Sequence, residues 1–136
     1  MIDVRTAPFG ILLLRLTAGL ALLAHSFYLK IFVFSMAGTA GFFESLGLPG
    51  FLAWLTLFVE IITGLMLVFS VKPRLAALIA VPGMMGAVWA HSGNGWLFSN
   101  ADGGWEYPLF WALVLLSIAL LGDGSATTVR TSKPSR

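Results

Sequence analysis

The chain reads as an all-α membrane protein: a polytopic four-helix bundle with a short outer interfacial helix between spans 1 and 2. Three observations predict this. Hydrophobic residues make up 58% of the 136 residues and charged residues 10%, against about 25% charged in soluble domains; the mean hydropathy is +0.92. The apolar residues gather in four stretches, 9–29, 51–71, 75–92 and about 105–122, each near the ~20 residues an α-helix needs to cross ~30 Å of hydrocarbon. Apart from Arg15, the lysines and arginines fall between and beyond these stretches. So much apolar mass in so short a chain leaves one domain, 1–122, and a basic tail, 123–136, whose serines and threonines predict a solvated end with little structure.

The first stretch is placed like a signal peptide. Arg15 interrupts its apolar core, so it is expected to be a retained span. In 36–48, Met36, Ala40, Phe43 and Gly47 share one helical stripe with Glu44 outside it, which predicts a short helix in the outer interface or a lid over a cavity. The second stretch carries Glu60, with Thr56, Thr63 and Gly64 on the same face, a small and polar stripe that should look into the bundle. In the third, Ala76, Ala80, Gly83 and Ala87 form a small-residue stripe suited to close helix approach, and Pro82 predicts a kink with a freed carbonyl. The connection 92–108, SGNGWLFSNADGGWEYP, combines turn residues with Trp96, Phe98, Trp105 and Tyr107, and serves as an aromatic anchor or a binding loop before the fourth span.

Four spans place Arg5, Lys72, Arg74, Arg130, Lys133 and Arg136 on one side and only Lys30 on the other. The positive-inside rule then predicts cytoplasmic N- and C-termini. The formal charge of +2 comes with no basic stripe, so lipid headgroups rather than nucleic acid account for the basic residues. The absence of cysteine excludes disulfides, iron–sulfur clusters, thiolate zinc sites and c-type haem, leaving no covalent or thiolate-bound cofactor. No Walker loop, GxGxxG turn, HExxH or nucleophile elbow occurs.

Arg15, His25, Glu60 and His91 lie within the oily stretches, where a charge costs at least roughly 2.5–3.5 kcal/mol and so needs a partner, a wet cavity or a role. Counting rise per residue from the segment ends puts Arg15 about 10 Å and Glu60 about 16 Å into the bilayer, within reach of each other, which predicts a buried Arg15–Glu60 ion pair or proton relay. The same count puts His25 and His91 both about 25 Å from the inner face, with Glu106 at the outer mouth. With Lys30 and Tyr107 they make a candidate outer pocket for a quinone head group, or less readily a metal ion.

The run RLTAGLALLAHSFYLK at 15–30, GFFESLGLP at 41–49, EIITGL at 60–65, RLAAL at 74–78, and HSGNGW followed by GGWEYP resemble, in this order, the DoxX family of small bacterial membrane proteins. Ser26 stands where that family usually has glycine. The resemblance implies a four-span bundle in the bacterial inner membrane and an association with quinone-linked oxidoreductases. Two functions follow as expectations. One is a membrane subunit of a quinone-linked redox system fed by a soluble partner. The other is a non-catalytic protein that binds or moves a small amphipathic molecule or anchors partner subunits, including copies of itself.

Overall fold

A computed structural model describes residues 3–124, and every element within them is helical. The basic tail therefore lies outside the described residues, except for Asp123 and Gly124. Helix α1, Ala7–Leu23, opens with Pro8 in its first turn, where a missing N–H costs nothing. It runs without a break into a π-helical segment, Ala24–Val33, giving 27 continuous residues. At the junction the buried Ser26 hydroxyl donates to the carbonyls of Leu22 (2.8 Å) and Leu23 (3.3 Å), competing for the carbonyls that an α-helix would use. The segment ends on an i→i+5 bond from Phe34 N–H to the Leu29 carbonyl, 2.8 Å.

The expected outer helix is present as α2, Ser35–Ser45. Its end is closed by Gly47, at φ +78°, which lets Leu48 N–H return to the Phe43 carbonyl at 3.0 Å. Helices α3, Phe51–Val68, α4, Pro73–His91, and α5, Glu106–Leu121, follow. Among the described residues three continuous helices are long and apolar enough to cross a membrane; α5 is apolar too but has 16 residues, about 24 Å of rise.

The helices close into a ring: α1 packs on α3, α3 on α4, α4 on α5 and α5 on α1, while α2 lies against α3 and the π segment. Two glycines set the register of the first pair. A Cβ on Gly19 would sit 2.9 Å from the Gly64 carbonyl, and one on Gly64 would sit 3.1 Å from the Gly19 carbonyl, so the backbones touch where only glycine fits. Between α4 and α5, Ala76, Ala77, Ala80 and Met84 meet Trp111, Ala112, Leu115 and Ile118 in the buried core. Only part of the stripe read from α4 packs in this way. Ala76 and Ala80 are buried, whereas the Cβ position of Gly83 has nothing within 4 Å. The outside of the bundle is studded with exposed apolar side chains such as Leu13, Phe58, Phe110 and Leu120, as a lipid-facing surface requires.

One end of the bundle is tied by Arg15. Its guanidinium donates to Ser70 Oγ (2.6 Å) in the α3–α4 turn and to the Asp123 carbonyl (2.7 Å) after α5. Beside it, Arg74 Nε donates to the Ala119 carbonyl at 2.9 Å. The start of α1 and the end of α5 therefore lie at the same end of the bundle, as an even number of crossings demands.

Candidate functional site

The predicted Arg15–Glu60 pair does not form. Glu60 Oε1 instead accepts from Lys30 Nζ at 2.7 Å, with both side chains largely buried. The contact between Gly19 and Gly64 explains the correction. In this antiparallel pair Arg15 is one turn below Gly19 and Glu60 one turn above Gly64, which separates them by about 12 Å along the axis. Side chains on a helix lean toward its N-terminus, so Arg15 and Glu60 lean apart, while Glu60 and Lys30 lean toward each other. Counting from segment ends misses this because the first helix begins well beyond the inner end of α3; Arg15 is level with Ser70, in the turn after that helix.

Glu60 also forms part of a wall. A recess of about 190 Å³ lies between α3 and α4, lined by Thr56, Val59 and Glu60 on one side and by Ala80, Pro82 and Gly83 on the other. Leu55 and Ile79 line its edges and are 53% and 44% exposed, so the recess opens on the lipid-facing surface. Behind that wall, Glu60 Oε2 is buried and has no hydrogen-bond partner among the described residues. The sequence marked Glu60, Thr56, Pro82 and Gly83 separately. It gave no sign that they share a wall, because spacing along one helix does not say which helix faces it.

The five residues expected in the outer pocket are distributed differently. Lys30 belongs to the ion pair. His25 is exposed and stands edge-on to Trp111, ring centroids 5.1 Å apart, five residues along α5 from Glu106 and so about 8 Å deeper than that carboxylate. His91 lies at the outer end of α4, where Nδ1 is 3.1 Å from the Asp102 carbonyl. A carbonyl can only accept, so this contact is a hydrogen bond in the tautomer that carries its proton on Nδ1; Asn94 Nδ2 also approaches that nitrogen, at 3.4 Å. Asn94 donates to the same carbonyl at 3.1 Å, and the Phe42 ring stacks on the imidazole at a centroid distance of 6.2 Å. Glu106 Oε1 accepts from Phe98 N–H at 3.1 Å, and its own N–H reaches the Trp96 carbonyl. His91 and Glu106 thus hold the 94–106 connection folded over the bundle. Tyr107 joins Phe98 and Trp111 in a row of rings, each pair 6.5 Å apart. Glu106 also borders a second recess, of about 320 Å³, with Trp96, Leu109, Phe110 and Leu113. Among the described residues no three histidine or acidic side chains gather as a metal would require, so His25, His91 and Glu106 do not form one cluster.

The DoxX family model matches residues 10–93, well over half the chain. The chain belongs to the DoxX family. The matched span contains Lys30, Glu60, Pro82 and Gly83 and stops before Glu106 and Tyr107. Among curated proteins, "Putative oxidoreductase CatD" of Bacillus subtilis (strain 168) is 30% identical over 119 residues, covering 88% of this chain and 84% of the relative. No solved structure matches. Family and apolar helices together make this DoxX chain a multi-pass membrane protein.

Proposed function

We propose that this DoxX protein is the membrane subunit of a quinone-linked oxidoreductase system, and that its own part is to hold a small ring-headed amphipathic substrate between α3 and α4. The observation that carries this reading is the Lys30–Glu60 pair: opposite charges 2.7 Å apart in an apolar bundle, of which Glu60 belongs to the wall of a recess open to the lipid side. Such a pair is a poor device for stability alone, since apolar residues of equal volume often do as well. Within a membrane span, ionisable residues more often mark a substrate or proton path. An apolar cavity of about 150 Å³ accepts benzene, so the recess has room for one six-membered ring with small substituents.

The oxidoreductase name of the Bacillus relative supports the redox setting. With no cysteine to ligate an iron–sulfur cluster, the chain is assigned a soluble partner as the source of electrons. The six-to-one distribution of basic residues supports an inner-membrane orientation with both termini cytoplasmic. A second reading, a non-catalytic binder or carrier of an amphipathic molecule, uses the same recess and needs no partner.

The test is extraction and mass spectrometry of small molecules that co-purify with the wild type and with Gly83→Leu, whose added side chain would fill the recess. A quinone or quinol carried by the wild type and depleted in the variant is the expected result. A different amphipath depleted in the variant would establish the second reading. Bulk lipid alone in both would contradict a ligand site in the recess.

A further inference from the structure

The second recess lies at the end of the bundle remote from Arg15 and shares no lining residue with the one between α3 and α4. Glu106, Leu109, Phe110 and Leu113 fall at i, i+3, i+4 and i+7 along α5, so they form one face that descends about 10 Å from the carboxylate. Trp96 supplies the facing wall. It is held in place: Trp105 N–H donates to the Gly95 carbonyl at 3.2 Å, Glu106 N–H donates to the Trp96 carbonyl at 3.1 Å, and the two indoles stand edge to face with centroids 4.5 Å apart. Trp96, Phe110 and Leu113 are each more than half exposed, so this recess also opens on the lipid-facing surface.

Its polar end has one sign. Glu106 Oε1 accepts from Phe98 N–H, whereas Oε2 meets no donor among the described residues and, unlike Glu60 Oε2, is not shut off from the surface. Lys30, the lysine of that end, is held by Glu60, and among the described residues no other cation pairs with a carboxylate. Glu106 therefore stands without a counter-charge at the top of an apolar channel, at the level where Trp96 and Trp105 suit the lipid head groups.

We infer that this recess binds a phospholipid with a primary ammonium head group, phosphatidylethanolamine, whose ammonium donates to Glu106 Oε2 and whose acyl chain lies along Leu109, Phe110 and Leu113. Charge complementarity and hydrogen-bond type choose the occupant. The ammonium supplies both the opposite charge and the N–H donors that the carboxylate lacks, a stronger contact than a neutral hydrogen bond. A choline head group carries the charge but has no N–H to give. An anionic lipid would set its phosphate against the carboxylate with no ammonium between them. At about 320 Å³ the recess exceeds the ~150 Å³ cavity that holds benzene, so it takes the upper part of one chain while the other stays in the bilayer.

The experiment offers the delipidated full-length protein, in mild detergent, an equimolar mixture of four dioleoyl lipids: phosphatidylethanolamine, its N,N-dimethyl derivative, phosphatidylcholine and phosphatidylglycerol. Native mass spectrometry reads which lipid is retained. It is repeated on Glu106→Gln, which keeps the acceptor for Phe98 N–H and removes the charge, and on Glu44→Gln and Asp102→Asn, which remove charges from residues that do not line the recess. Asparagine also accepts the positive φ of position 102. On the wild type, phosphatidylethanolamine should be retained at least about tenfold over phosphatidylcholine, the effect of one hydrogen bond to a charged acceptor. The dimethyl lipid should fall between them and phosphatidylglycerol last. Glu106→Gln should abolish the preference, and the other two variants should keep it. Equal retention of the four lipids, or a preference for the choline or glycerol lipid, would overturn the proposal. So would a preference that survives Glu106→Gln, or one lost equally in Glu44→Gln and Asp102→Asn, which would assign it to the acidity of that whole end. The ranking of lipids on the wild type decides the matter even if a variant fails to fold.

Discussion

Glu60 places one oxygen on Lys30 and keeps the other buried, and the residue forms part of the wall of the recess between α3 and α4. Stranding either charge of a buried pair costs about 3–5 kcal/mol, whereas removing both together is nearly neutral. Lys30→Met and Glu60→Leu should therefore each lower the thermal midpoint sharply, and the double variant should recover most of the loss. Arg15→Leu combined with Glu60→Leu should be additive, since Arg15 is occupied with Ser70 and Asp123. Thermal-shift series on the six proteins check both statements, and coupling between Arg15 and Glu60 in place of Lys30 and Glu60 would contradict the assignment. That Glu60 needs a cation was legible from the sequence, because a lone carboxylate in an oily run is costly wherever it points. Which cation was not legible, because Lys30 reads as a headgroup residue beyond the first span and only the lean of the two helices brings it inward.

At the scale of the elements, the spans and the outer helix α2 followed from composition and periodicity, whereas Gly47, read as part of the helical stripe, instead closes α2. The heights of the helices relative to one another did not follow. They are fixed by contact between Gly19 and Gly64, two residues on different helices whose meeting no single-helix pattern encodes. The π-helical segment was equally hidden, since the only sign of it is a serine hydroxyl at position 26 competing for carbonyls. Gly19→Val and Gly64→Val should each destabilise the protein by roughly 1–3 kcal/mol through overpacking. Gly83→Leu should leave the melting temperature unchanged or raise it, because its position is open and leucine is the better helix former. The comparison is a set of thermal melts in one detergent. A large loss for Gly83→Leu, or none for Gly19→Val, would show that the close contact lies between different helices.

Over the whole molecule, the closed ring of helices brings the start of α1, the α3–α4 turn and the end of α5 to the end tied by Arg15 and Arg74. With the basic residues gathered on that side, reporter fusions after residue 136 and within 93–104 should report opposite compartments, the former cytoplasmic; a C-terminal reporter active only outside would reverse the orientation. The outer cluster was legible as a set of residue types but not as an arrangement. His91 and Glu106 are turned to backbone groups of their own connection, and Glu106 borders a recess with Trp96 and Phe110 that neither histidine lines, while a second recess lies on the flank between α3 and α4. The measurement that bears most directly on the central claim is photolabelling with a benzoquinone carrying a small diazirine on its ring, followed by peptide mapping. Label concentrated in 55–60 and 79–83, displaced by an unlabelled alkyl benzoquinone and absent in Gly83→Leu, is the predicted result. Label confined to 96–107, and unaffected by Gly83→Leu, would contradict it and place the ligand at the outer mouth of the bundle.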